Sequence, residues 1–326
     1  MNWHVIFVRV ARVGTVLALA VVMLGAWVRL HDAGLGCPDW PGCYGRLVVP
    51  DQATAARDES YSARPLVAAK AWREMIHRYL AGALVLVTLA LAVLAWRNRR
   101  DPNQPWRRPL ALVGLIVFQA LLGMWTVTLL LKPLIVVAHL LGGLATLALL
   151  ASLGEWRKNA APAGASNRLR TLGLVAAAAL VLQIFLGGWT SSNYAAVACP
   201  DFPTCQTQWW PEVADFKDGF ILWRGLGIDY EGGVLDHPAR VAVHFTHRLG
   251  ALLAALLIAA LGLGLVAKPS TRADGLAVLG VLVLQLSLGI SIVVFGVPLS
   301  VAVAHNGAAA LLLLAVLNAN QRIRQG

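Results

Sequence analysis

The chain has 326 residues, 58% of them hydrophobic and only 13% charged, with a mean hydropathy of +0.68. Soluble domains carry about 25% charged residues. This composition therefore excludes a disordered chain, a collagen-like fibre, a small disulfide scaffold and an ordinary soluble enzyme, and points to a polytopic membrane protein. The 27 Lys+Arg against 16 Asp+Glu, a net +11, fit basic loops on one side of a membrane rather than a nucleic-acid partner.

Stretches of about 20 apolar residues can cross a bilayer. Eight are predicted, at roughly 13–30, 74–96, 109–131, 134–154, 169–191, 241–266, 275–297 and 299–319. The fold class is an all-α membrane protein. Arg9 and Arg12 precede the first span and no A-x-A cleavage site follows it, so an uncleaved anchor is expected; no mitochondrial-type presequence is visible. Pro133 and Pro298 lie in very short connections, which makes spans three and four a tight hairpin, and likewise seven and eight.

With the N-terminus inside, segments 1–12, 97–108, 155–170, 267–274 and 320–326 hold 15 basic and three acidic residues. The rest of the chain holds 12 basic and 13 acidic ones. This asymmetry predicts cytoplasmic termini. All four cysteines then fall in outer loops, in a compartment that tolerates disulfides. Those loops are long, roughly residues 31–73 and 192–240, and stretches such as Thr54–Arg73 are expected to lie as interfacial helices over the bundle. Trp209 and Trp210 suit the membrane boundary.

The chain repeats itself. Cys37-Pro-Asp-Trp-Pro-Gly-Cys43 recurs as Cys199-Pro-Asp-Phe-Pro-Thr-Cys205, each ten residues after a tryptophan, Trp27 or Trp189. Ile76-His77-Arg78 recurs as Thr246-His247-Arg248, and Ala138-His139 as Ala304-His305, so three landmarks return in order with offsets of 162, 170 and 166 residues. Each half has four spans, an even number. Two tandem four-helix bundles, 1–160 and 161–326, related by a pseudo-two-fold axis along the membrane normal are therefore expected. The odd spans also end in Leu24-Gly25, Leu122-Gly123, Leu186-Gly187 and Leu288-Gly289, with Gln119, Gln183 and Gln285 four residues before three of these glycines. Two readings stand: close helix packing with interhelical hydrogen bonds, or glycine admitting a flat ligand to the backbone.

His77, His139, His247 and His305 each lie a few residues inside an inward-running span, at matched depth near the outer face. A single membrane histidine is most simply a hydrogen-bonded core residue. Four, paired and duplicated, argue for function. Two imidazoles from facing helices ligate haem iron axially. Copper or zinc would want additional carboxylates or thiolates, and no cluster of these accompanies the histidines within the bilayer. Arg78 and Arg248 are candidate partners for haem propionates, or snorkelling interfacial cations. Glu74 stands three residues before His77 where His244 stands before His247, one helix face in each case. A carboxylate there could move protons or stabilise developing positive charge; otherwise it is an interfacial acid. His4, His31 and His237 read as surface residues, and His244 as a support to the ligands. Each cysteine pair, separated by five residues with two prolines, is a structural staple or a redox-active dithiol; both pairs sharing one metal is a third option.

The run Gly34-Leu-Gly-Cys-Pro-Asp-Trp-Pro-Gly-Cys43, with Glu74-x-x-His77-Arg78, Ala138-His139, His247-Arg248 and Ala304-His305, resembles the haem A synthases of bacterial cytochrome oxidase assembly over nearly the whole chain. The resemblance implies an oxidoreductase that turns a ring methyl of haem O into a formyl group by successive hydroxylations and loss of water. It implies a substrate haem O at His77 and His139, a resident haem B at His247 and His305, Glu74 as the catalytic acid, and disulfides Cys37–Cys43 and Cys199–Cys205. It also implies a bacterial inner (plasma) membrane location with the cysteine loops outside. Haem O synthase and a membrane electron donor are the implied partners, with an oligomer allowed. A bis-histidine electron carrier would stack one haem near each face, which the common depth of the histidines weighs against. A haem transporter or chaperone would hold exchangeable haem. Glu74 weighs against both.

Overall fold

The computed structural model describes residues 3–56, 59–102, 104–154 and 166–324. Among the described residues, eight long helices are apolar enough to cross a membrane: α1 (Trp3–Leu30), α2 (Ala68–Arg97), α3 (Arg107–Thr128), α4 (Pro133–Leu153), α5 (Asn167–Ser192), α6 (His237–Val266), α7 (Arg272–Val294) and α8 (Leu299–Arg324). The chain is thus a multi-pass membrane protein. In hydrocarbon the backbone must satisfy itself, and a helix does so within one segment.

The chain divides into two compact units, Met1–Trp156 with Trp223–Gly233, and Arg157–Leu222 with Val234–Gly326. The expected division at 160/161 falls outside the described residues. In the first unit α1 packs on α2 and α4, and α3 packs on α2 and α4; in the second, α5 packs on α6 and α8, and α7 packs on α6 and α8. Small residues allow close packing. A Cβ on Gly275 of α7 would lie 2.6 Å from the Gly262 carbonyl of α6.

The helices outrun the apolar stretches at several ends. Arg9 and Arg12 are inside α1, and Arg12 Nε donates to the Gly154 carbonyl at the end of α4 (2.9 Å). In the second unit Arg170 Nε donates to Ile323 O (3.1 Å), and buried Asp274 is paired with Arg322. Two spans end earlier than expected. Leu130 and Leu131, and Gly296 and Val297, take left-handed backbone conformations with φ between 52° and 66°, which stops α3 and α7 short of 131 and 297. The tight connections before α4 and α8 follow from these turns. Between α1 and α2, among the described residues, only Gln52–Ala56 and a 3₁₀ turn at Glu59–Tyr61 are helical before α2 begins.

Candidate functional site

Both cysteine pairs are disulfides, with Cα atoms 4.7 Å apart in each. The two loops are built alike. Each has a cis X-Pro bond, at Trp40–Pro41 and Phe202–Pro203. Each uses an aspartate to gather backbone N–H groups: Asp39 accepts from Tyr44 (2.6 Å) and Gly45 (2.9 Å), and Asp201 from Gln206 (2.8 Å) and Thr207 (3.0 Å). Burial opposes ionisation of Asp201, but the Thr204 hydroxyl and these N–H groups hold its carboxyl below the usual range.

Each loop is clamped to its helix by the arginine that follows a candidate ligand. Arg78 Nη1 donates to the carbonyls of Asp39 (2.9 Å), Pro41 (3.3 Å) and Gly42, and Nη2 to Glu74 Oε1 (2.5 Å). Arg248 Nη1 donates to Asp201 O (2.8 Å) and Thr204 O (2.7 Å), and Nη2 to Cys199 O (2.7 Å). The expected propionate partners therefore hold loop carbonyls in this structure. Glu74, 5% exposed, accepts the Cys37 N–H on Oε2 (2.8 Å); in the second unit the Cys199 N–H faces His244 Nδ1 (3.3 Å). Glu74 and His244 thus occupy matching places, one as half of an ion pair, the other as an imidazole. Gly36 lets the first loop rest directly on α2, since a Cβ there would lie 2.6 Å from the Lys70 carbonyl carbon.

The four histidines lie about two to three turns inside α2, α4, α6 and α8. Each faces a glycine of a neighbouring helix. An added Cβ would approach the ring Cε1 to 3.1 Å from Gly25 (His77), 3.4 Å from Gly123 (His139), 3.1 Å from Gly187 (His247) and 3.0 Å from Gly289 (His305). His139 is close enough to His77 to act on it electrostatically, as His305 is to His247. All four rings are half-buried rather than sealed. His77 Nδ1 and His305 Nδ1 have no hydrogen-bond partner among the described residues. No three His, Cys, Asp or Glu side chains converge among the described residues, so the protein offers two nitrogens per site. That donor set fits a porphyrin iron, whose macrocycle supplies four ligands and leaves two axial positions.

The close ring contacts carry a prediction. Gly187→Ala is expected to displace His247 and lower the haem bound per chain several-fold. Gly114→Ala, whose Cβ would meet nothing within 4 Å, is expected to be neutral. Pyridine haemochrome spectra of the purified proteins measure both.

Residues Trp223–Gly233 belong to the first unit although they lie in the long loop of the second half. Tyr230, 2% exposed, donates its N–H to Leu130 O (3.1 Å). Lys132, also 2% exposed, donates to the carbonyls of Arg224 and Gly225 (2.6 Å each), and its ammonium lies 3.9 Å from the centre of the Trp223 ring. Arg64 pairs with Asp229 and Glu231, and Lys70 with Glu231 (3.0 Å). Lys70 and Lys132 each stand seven residues, about two turns, before His77 and His139. The segment therefore straps together the cysteine-loop ends of both histidine helices of this unit. No residue of the strap stood out as a site residue in the sequence. The available signal was the repeat offset, which grows from 162 at the cysteines to 170 at the next histidine.

Burial raises the Glu231 pKa, but the hydrogen bond and charge of Lys70, then those of Arg64, hold it below its ordinary value of 4.5. A depressed carboxylate stabilises at neutral pH and loses that contribution as pH falls through its folded value. The strap is expected to stay protected near neutrality and to open below the ordinary glutamate range. Hydrogen exchange at Tyr230 and Gly233, corrected for intrinsic rates, checks this, with Glu231→Gln expected to be open already at neutral pH.

Eight apolar helices among the described residues, with paired histidines and two disulfide loops, define a multi-pass membrane protein whose donor set fits porphyrin iron. The profile of the cytochrome oxidase assembly protein family (COX15-CtaA) matches residues 9–317, and the chain belongs to that family. Among curated relatives it is similar to the haem A synthase of Shewanella oneidensis, 44% identical over 314 residues, covering 95% of this chain and 94% of the relative. It is also similar to the haem A synthases of Caulobacter vibrioides (30% identical, 95% and 93% covered) and Rhizorhabdus wittichii (29% identical, 93% and 89% covered).

Proposed function

We propose that this chain is a haem A synthase, an oxidoreductase that converts the ring methyl of haem O into the formyl group of haem A for a terminal cytochrome oxidase. The observation that carries the reading is the unequal duplication: two histidine pairs of the same construction, one with Glu74 and the other with His244 between ligand and loop. In this reading His77 and His139 hold the substrate haem O, and His247 and His305 hold a resident haem B. When bound, haem B supplies one-electron redox chemistry.

The chain's own residues do the rest. The histidines orient the two porphyrins. Glu74, one turn before His77, is the acid beside the substrate and holds its proton or charge on Oε1 and Oε2. Arg78 and Arg248 keep the disulfide loops seated over the two sites, and the strap closes the first. The histidines, Glu74 and both arginines sit in the early turns of inward-running helices. Together with the basic bias of the opposite loops, this supports a bacterial inner-membrane enzyme with cytoplasmic termini and outward cysteine loops. Haem O synthase and a membrane electron donor are its expected partners.

Expression with a haem O source in a host lacking the oxidase, followed by chromatography of extracted haems, tests the reading. Haem A is expected with the wild-type chain and is expected to be lost in Glu74→Ala. Haem B alone, with no haem A under any condition, would overturn it.

A further inference from the structure

Four glycines face the four histidines, but only three glutamines do. Gln119, Gln183 and Gln285 stand one turn before Gly123, Gly187 and Gly289, on the same helix face. Gln183 Nε2 lies 3.0 Å from His247 Nδ1 and 3.1 Å from the His247 carbonyl. The Gln119 amide, oriented to satisfy its hydrogen bonds, makes the same pair of contacts with His139 (2.9 and 3.1 Å) and accepts from Gly143 N–H (3.2 Å). Gln285 Nε2 lies 3.2 Å from His305 Nε2. For the first two, a second glycine makes the berth. Gly142 and Gly250 stand three residues after His139 and His247, and a Cβ on Gly250 would come within 2.5 Å of Gln183 Oε1. A Cβ on Gly142 would collide with the Gln119 amide.

The fourth place breaks the pattern twice. Val21 stands four residues before Gly25, and Leu80 stands three residues after His77. His77 therefore has neither the amide nor the berth. Its Nδ1 has no partner among the described residues, and although the same holds for His305 Nδ1, the His305 ring is held through Nε2 by Gln285.

We infer that Gln119, Gln183 and Gln285 are positioning residues that fix the imidazoles of His139, His247 and His305, and that His77, left without one, is the ligand built to release its haem. The inference rests on the haem-site reading above. A partner on the second ring nitrogen sets the orientation and basicity of a ligating imidazole, and its loss costs 10–100-fold in affinity. As placed, the Gln183 amide nitrogen faces Nδ1 and the carbonyl of His247; a half-turn would give up the carbonyl contact and put Oε1 beside Nδ1, where it accepts from the tautomer that leaves Nε2 for iron. An unpartnered ring keeps its rotation until iron binds, and that freedom is lost on ligation. A resident haem needs two fixed ligands. A haem that arrives as substrate and leaves as product needs one fixed ligand and one loose one, and the first unit has His139 and His77. Interhelical adhesion alone would need only the backbone carbonyl contact; the amides also reach the ring nitrogens.

The test uses the full chain in detergent, loaded with haemin to two equivalents, with haem loss to excess apomyoglobin as the readout. Wild type is expected to lose one equivalent quickly and one slowly. Gln183→Leu is expected to speed the slow phase by about 10–100-fold and to shift the low-spin EPR g-values. Gln183→Glu, which puts a carboxylate oxygen beside the ring in place of the amide nitrogen, is expected to retain haem and lower its midpoint potential. Val21→Gln with Leu80→Gly is expected to slow the fast phase. If Gln183→Leu lowers only the thermal midpoint, leaving haem loss and EPR unchanged, the glutamines are structural and the inference falls alone. If wild type binds no haem, the haem-site reading falls and takes the inference with it.

Discussion

Alanine at His247 or His305 is expected to leave the purified protein almost free of haem B, while alanine at His77 or His139 should leave haem B in place and abolish haem A. The two pairs lie in separate compact units, each with its own loop and arginine clamp. A ligand lost in one unit therefore leaves the helices, disulfide and clamp of the other untouched. Within a pair the loss is severe, because nothing else nearby can replace the missing nitrogen: no third His, Cys, Asp or Glu joins either pair among the described residues. The histidines are half-buried and face glycine, so their removal opens space without stranding a buried charge, and the variants should accumulate in the membrane. Haem B per chain and haem A by chromatography give the two readouts. Loss of haem B in His77→Ala, with retention in His247→Ala, would exchange the roles of the halves.

Much of this arrangement was legible because it is periodic or local. Apolar runs near bilayer length marked the eight helices, and the duplicated Cys-Pro-Asp-aromatic-Pro loops and His-Arg pairs marked the site. The misjudged ends have physical causes. Hydropathy cut α1 at Arg12, yet a basic side chain can stay helical and cap a neighbour, as Arg12 does at Gly154. The apolar Leu130, Leu131 and Val297 looked like helix, but their left-handed backbone turns the chain.

What stayed hidden depends on chain return. Spacing put Glu74 on the face of His77, but could not show the Cys37 N–H folding back onto its carboxylate. Nor could it show the guanidinium of Arg78 committed to three loop carbonyls. The strap is the extreme case. Arg64, Lys70 and Lys132 meet partners more than 90 residues away, and no local pattern encodes such pairs. The chemistry of the candidate site thus lay in short motifs, whereas its closure lay in contacts between distant residues.

The arginine clamps separate the two units energetically. Arg78→Leu removes the partner of Glu74 and leaves a carboxylate that is 6% exposed in its side chain without its cation. Breaking a buried ion pair in this way costs about 3–5 kcal/mol, because the remaining charge is stranded. Arg248→Leu removes equivalent donors from three loop carbonyls, but the residue facing it is His244, which need carry no charge. Its cost is expected to be that of lost hydrogen bonds to a charged group, about 1.5–3 kcal/mol. The first unit should therefore be the more sensitive to loss of its arginine. Neutralising Glu74 as well should recover part of the loss, since Glu74→Gln keeps an acceptor for the Cys37 N–H and removes the stranded charge. A double-mutant cycle on Arg78 and Glu74, read as thermal midpoints in detergent and as protease nicking of the loop around Cys37–Cys43, measures that coupling. Equal destabilisation by Arg78→Leu and Arg248→Leu, with no recovery in the double variant, would mean that the Glu74–Arg78 pair contributes no more than its loop hydrogen bonds, and Glu74 would then be free to serve the chemistry alone.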